Sequence, residues 1–332
     1  MHPLLRAATE RQLGLFTAAD ARRAGYGHPE IRRHLAAGTW ARLRRGVYAT
    51  AETIAAADTA ARRHVLDCLA VLLDLGRPLA VVSHGSAARL HGFTVRRDLD
   101  PTVRLTDPSS WRHGRGSLVA RAPLAAHDLV GRHPFGATAA ARTLVDCARE
   151  WDLDDSVVAM DAALLAERVT AGDLRSAAAA AGSRPGGIAA RRAVGLADGR
   201  AESPLASRGR VRMLGAGLPP PELQVEIRAE GRLVGVVDAW FDAAAVAVEF
   251  DGKVTYTDPW RGRTPAQVLW EEKRREDELR ALGIRVVRVA DEDVDRGWPR
   301  IETRLRDLLA TRGPVSRTFR ATPRDRSRRR AG

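Results

Sequence analysis

From Glu202 onward the spacing of apolar residues switches between helical and strand periods in the order αβββαβα, an arrangement open to few folds. Residues 203–215 read as a helix opened by Ser203 and Pro204. Residues 223–228, 233–241 and 246–251 alternate as strands. A charged helix over 264–282, a strand over 284–289 and a helix over 299–309 complete the series. Carboxylates interrupt the strands: Asp238 follows Val-Gly-Val-Val, and Glu249 and Asp251 punctuate Val-Ala-Val-Glu-Phe-Asp. An apolar strand has no packing use for an unpaired carboxylate, and burying one is costly unless it is paired. A metal ion would supply the partner.

Period two puts Glu249 and Asp251 on one side of their strand. Asp238 joins them if the connection over 242–245 has two or four residues; an unbulged three-residue loop would turn it away. Oxygen-only ligands favour Mg²⁺ or Mn²⁺ over zinc. Such an ion can hold a scissile phosphate and activate water for phosphodiester hydrolysis. Arginine outnumbers lysine 52 to 2, the mark of a GC-rich genome, and both lysines, Lys253 and Lys273, fall in this region. A lysine retained under that drift points to a need for a compact ammonium beside the acids. The alternative for Lys273 is an i,i+4 partner on a charged helix.

The 332-residue chain carries a formal charge of +13, unevenly placed. The first 50 residues hold nine arginines against three acids, and residues 314–332 hold seven against one. Basic ends suit a polyanionic partner, most simply nucleic acid; nothing in them tells DNA from RNA. Three short helices are expected before residue 38. The second is capped by Thr17, and the third, opened by Pro29, runs to residue 37. A β-hairpin over 40–48, turning at Gly46, follows. Helix-turn-helix plus hairpin is a winged helix. Its third helix would present Arg32 and Arg33 to a major groove, and its wing would bring Arg42, Arg44 and Arg45 to phosphate or minor groove.

The middle of the chain is plainer. Residues 58–76 form a long amphipathic helix, 83–92 a short capped one, 102–106 and 117–120 strands, and 138–150, 154–167 and 170–181 further helices. Ser83, His84, Asp146 and Cys147 show no triad spacing and read as capping and packing residues. Cys68 and Cys147 read as buried free thiols. No apolar leader or membrane-length run appears, so a soluble cytoplasmic protein is expected. The division is 1–50 winged helix, 52–198 connector, 200–312 last domain and 314–332 disordered basic tail.

Two resemblances cover most of the chain. Gly14-Leu-Phe-Thr-Ala-Ala-Asp through Arg44-Arg-Gly-Val-Tyr48, followed by Val82-Ser-His-Gly-Ser-Ala-Ala-Arg-Leu-His-Gly92, resembles the N-terminal region of AbiEi-type antitoxins. That likeness implies DNA-binding autoregulation and leaves room for a cognate toxin. Gly235-Val-Val-Asp238-Ala-Trp, Val248-Glu249-Phe-Asp251-Gly-Lys253 and the run from Trp270 through Lys273 to Val289 resemble the PD-(D/E)xK nucleases, and more closely the Vsr-like endonuclease-related domains of actinobacteria. By resemblance Asp238 and Glu249 are metal ligands and Glu202 is the acid of the first helix. Two positions depart: Asp251 stands where the superfamily has lysine, and Ala206 stands where relatives carry a further acid.

The expected fold is α/β overall: an N-terminal winged helix, an α+β connector and a C-terminal αβββαβ restriction-endonuclease-like domain. The expected function is that of a DNA-binding protein with a Mg²⁺-dependent endonuclease domain, placed by resemblance in phage defence or DNA repair. The alternative is a non-catalytic DNA-binding regulator or antitoxin with a degenerate nuclease fold.

Overall fold

The computed structural model describes residues 1–57, 59–93, 101–131, 134–252 and 264–325. They fall into two units, Met1–Asp152 with Val169–Val194, and Leu153–Arg168 with Gly195–Gly332.

The first unit opens with α1 (Pro3–Arg11), β1 (Leu15–Thr17), α2 (Ala18–Arg23), α3 (His28–Ala36), β2 (Trp40–Arg44) and β3 (Val47–Thr50). Thr17 and Asp20 close a capping box at the start of α2. Leu5, Phe16, Ile31, Trp40 and Tyr48 form the core under these helices. Phe16 meets Trp40 edge-on with centroids 4.7 Å apart, a contact worth about 0.5–1.5 kcal/mol beyond its buried area. β2 and β3 pair antiparallel around Gly46, whose φ of +72° suits glycine. The expected hairpin is there, with β1 as a third strand in the order β1-β3-β2.

The unit continues through α4 (Ala51–Ala56), α5 (Ala60–Leu75), β4 (Val81–Val82), α6 (His84–Leu90), β5 (Val103–Asp107), β6 (Arg112–Gly114), β7 (Ser117–Arg121), β8 (Leu129–Val130), β9 (Ala137–Thr138) and α7 (Ala140–Ala148). Its second sheet has the order β6-β7-β5-β4-β9-β8. A break expected near residue 51 is bridged by packing, because Leu15, Val47 and Ala49 of the first sheet share a core with Leu66, Leu69 and Ala70 of α5. The other side of α5, Cys68 and Val71, packs with Val82, Val103 and Leu105 of the second sheet. Cys68 and Cys147 are free and buried.

α8 (Leu153–Leu165) belongs to the second unit, whereas α9 (Ala171–Ala181) and most of α10 (Gly187–Leu196) belong to the first. The connector expected over 52–198 therefore divides at α8. The physical reason is a buried ion pair: Asp161 on α8 meets Arg210 at 2.9 Å on α11 (Pro204–Gly215), and Asp154 meets Arg212 at 3.2 Å.

The second unit adds β10 (Glu222–Ala229), β11 (Arg232–Phe241), β12 (Val246–Asp251), α12 (Pro265–Ala281), β13 (Arg285–Ala290), α13 (Trp298–Leu309) and β14 (Phe319–Pro323). The sheet order is β13-β12-β11-β10-β14; β12 and β13 run parallel and the other neighbours antiparallel. Leu205 and Met213 of α11 and Ile301 and Leu305 of α13 share one core with the sheet. Leu279 of α12 and Phe319 of β14 belong to the other. β14 corrects the expected disordered tail over 314–332: Phe319 to Pro323 pair with Val225 to Ala229, and Phe319 stands edge-on to Trp240 at 5.9 Å. Residues 326–332 lie outside the described residues. The αβββαβα order read from the sequence is present, with β14 as an added edge strand; an endonuclease fold is not established by that order alone.

Candidate functional site

Two polar constellations stand out, one per unit. In the first, α3 begins with His28 and Pro29 and turns Ile31 into the core, leaving Arg32 and Arg33 exposed on the adjoining face. On the wing, Arg42 and Arg45 are exposed. Arg44 is not a free contact: its guanidinium donates to the carbonyl of Arg115 and, at 3.2 Å, to that of Gly116, in the turn between β6 and β7. Of the five arginines expected to reach nucleic acid, four keep exposed heads and Arg44 ties the wing down. His34 stacks on Trp40 at 4.3 Å and hydrogen-bonds Thr39 at 2.9 Å, a packing role.

Ser83, His84 and Asp146 sit in a buried network. The Ser83 hydroxyl lies 2.8 Å from His84 Nδ1 and accepts from Thr106 at 2.8 Å. Ser83 is fully buried, so this contact holds α6 in place and offers no nucleophile. Burial pulls the His84 imidazole down to about 4, which keeps it neutral.

In the second unit, Phe241 ends β11 and Val246 begins β12, a four-residue connection with Ala245 at φ +49°. The ladder closes on Ala239 opposite Val248, so Asp238 and Glu249 follow as neighbours where the strands part. Both carboxylates line one cavity of about 220 Å³ with Asp251, Glu272, Arg275 and Arg288. The register condition for a shared site is thus met. Asp251 is on the same side, since Arg288 reaches both it, at 3.3 Å, and Glu249, at 3.8 Å. Glu202 lies close enough for its charge to act on Asp238, and it pairs with Arg324 at 3.7 Å. Lys273 is not brought in: it is exposed beside Trp270 and Asp277, while Arg275 of the same helix faces the acids. Lys253 lies outside the described residues.

Hydrogen bonds hold both oxygens of Asp238, whereas Glu249 is held by ion pairs alone. Asp238 accepts from Gln224 Nε2 at 2.8 Å and from the Phe250 amide at 2.9 Å. Glu249 faces Arg275 at 3.1 Å and Arg288 at 3.8 Å. Burial nevertheless pushes both carboxyls up; for Asp238 the Phe250 and Gln224 hydrogen bonds offset only part of this, and for Glu249 Arg275 and Arg288 do the same. Glu249 Oε1 is buried and has no hydrogen bond. A hard divalent ion suits oxygen donors. Among the described residues, however, no three His, Cys, Asp or Glu side chains gather as a metal-holding group, and guanidinium already stands on Glu249. The described side chains, as arranged, do not fit a metal.

The sequence alone does not single out Arg275 or Arg288 as partners of these acids. The signal for Arg288 was present: it is the charged residue between Val287 and Val289 in an apolar strand, and in the parallel ladder it stands beside Glu249. The raised Asp238 carboxyl gives a stability prediction. Because its folded pKa lies above its ordinary 3.8, ionisation costs stability as pH rises through the folded value, and the cost is absent below the ordinary one. Asp238→Asn is therefore expected to melt at the same temperature as the native protein or higher at pH 7, with the difference closing toward pH 4. A variant several degrees less stable at pH 7 would contradict it.

Among the described residues no helix is long and apolar enough to cross a membrane. Residues 3–51 match the family described as transcriptional regulator, AbiEi antitoxin. Two uncharacterized proteins of Mycobacterium tuberculosis, from strains CDC 1551 / Oshkosh and H37Rv, are each 34% identical over 233 residues, covering 68% of this chain and 80% of theirs. The chain belongs to the protein family that these mycobacterial relatives represent, and its N-terminal region is of the AbiEi antitoxin, transcriptional-regulator type.

Proposed function

We propose that this protein is a DNA-binding transcriptional regulator of antitoxin type. The observation that carries the reading is the surface of the region matching the regulator family: α3 exposes Arg32 and Arg33 and the wing exposes Arg42 and Arg45 on one small, well-packed frame. A helix in the major groove and a wing on the backbone is how such a frame binds a duplex, with arginine reading guanine or neutralising phosphate. Regulation of its own operon and a cognate toxin partner follow from the antitoxin likeness. Titrating the full-length protein into duplex DNA at rising salt tests this. Affinity should fall with a linear log–log slope of several units as counterions are released. No binding at low salt would contradict the reading.

One observation favours a second reading, DNA cleavage by the second unit: two carboxylates with raised pKa, Glu249 buried and Asp238 half-buried, face one cavity, a costly arrangement that enzymes use. Its assay is plasmid nicking with Mg²⁺ or Mn²⁺, using native protein beside Asp238→Ala and Glu249→Ala. The regulator reading expects intact plasmid in every lane. Nicking that disappears in both variants and with chelator would establish the nuclease, with Mg²⁺ or Mn²⁺ as its cofactor.

A further inference from the structure

The wing faces a second hairpin. Arg42, Arg44 and Arg45 line a cleft of about 770 Å³ whose opposite side is built by the β6–β7 hairpin with Arg112 and Arg115, and α5 contributes Asp74. Five guanidinium groups against one carboxylate make a strongly positive concavity. Such clefts focus field and gather anions. Arg112 and Arg115 are exposed, and among the described residues neither is ion-paired, so both heads are available to a ligand. The hairpin also carries Trp111, which is 67% exposed, beside Arg112. The two sides are fastened together, since Arg44 donates to the carbonyls of Arg115 and Gly116. The wing and the β6–β7 hairpin are therefore presented as one surface, and the hairpin lies beyond residues 3–51, the part matched by the regulator family.

We infer that this cleft is a second phosphate-backbone site, in which Arg112 and Arg115 grip the duplex held by the winged helix. The inference rests on the proposed DNA-binding function and extends its footprint into the sheet region of the first unit. Its ligand is the sugar–phosphate backbone: the cleft supplies positive charge, with no set of amides or carboxylates to read bases.

The test uses the full-length protein, a fluorescent DNA duplex, and two double variants, R112A/R115A and R32A/R33A, each titrated across a salt series. Each lost phosphate contact removes about 0.9 from the log–log slope on B-form DNA, so R112A/R115A should flatten it by about 1.8 and weaken binding at least about tenfold at 0.1 M salt. An unchanged slope in R112A/R115A, with R32A/R33A weakened, would overturn the cleft and leave the regulator reading standing. Absence of binding by the native protein would overturn both. A loss confined to single-stranded RNA, with duplex binding intact, would also overturn the inference.

Discussion

Replacing Asp146 with alanine is expected to lower the unfolding free energy of the first unit by about 3–5 kcal/mol, the scale for stripping one partner from a buried ion pair. Asp146 is fully buried on α7. Its carboxylate holds Arg142 at 2.6 Å and Arg149 at 3.0 Å, with Arg184 at 4.0 Å. Arg142 is itself buried, and without Asp146 it keeps, among the described residues, Asp128, at 3.0 Å, and the Pro123 carbonyl. Burial alone would raise the Asp146 carboxyl, but the Arg142 and Arg149 guanidiniums hold it below the ordinary carboxylate range. A depressed carboxylate stabilises the fold at any pH above its unfolded value, and that contribution is lost as pH falls through the folded one. The gap between native protein and variant should therefore stay constant near neutrality and narrow only below pH 3.8. Urea denaturation measures it. If the alanine variant fails to fold, Asp146→Asn, which keeps the shape and loses the charge, should still unfold well below native urea concentrations. A change under about 1 kcal/mol in both would show that the network carries little stability.

The sequence made legible what periodicity and capping can express. Long strands with clean alternation, β10 to β13, and helices with capping signals such as Ser203-Pro204 appear where the pattern places them. The strand acids were legible for the same reason: Asp238 and Glu249 break an apolar alternation, and a four-residue connection brings them together. Elements with no room for a pattern were not legible. β4, β8 and β9 are two residues each, and β14, Phe-Arg-Ala-Thr-Pro, has only Phe319 and Ala321 to mark its inner face amid arginine-rich sequence. Long-range pairing was equally hidden. Nothing local shows that Arg44 binds carbonyls some 70 residues away, or that Asp161 draws α8 into the second unit through Arg210. The expectation of lysine beside the acids failed for Lys273 because helical spacing turns it to the outer face, while Arg275, two residues on, meets Glu249.

The arginines of α3 carry the other large effect. Arg32 and Arg33 are exposed, and among the described residues no ion pair engages either one. Reversing both leaves the fold nearly untouched, since surface substitutions away from packed features usually stay within about 0.5 kcal/mol. In a groove-bound helix the same change removes two cationic contacts and sets two carboxylates against phosphate. Affinity for duplex DNA should fall on the order of 100-fold at 0.1 M salt, and the salt slope should flatten by about 1.8 or more. Arg44→Ala acts differently, because Arg44 fastens the wing; its loss should disturb binding by freeing the hairpin.

The central claim, that the N-terminal region binds DNA through α3, is tested most directly by one comparison. The native protein and R32E/R33E are titrated by fluorescence anisotropy into the same duplex at the same salt, with melting temperature as the control for folding. Equal melting temperatures and an affinity loss on the order of 100-fold in the variant are expected. Equal melting temperatures with equal affinities would contradict it.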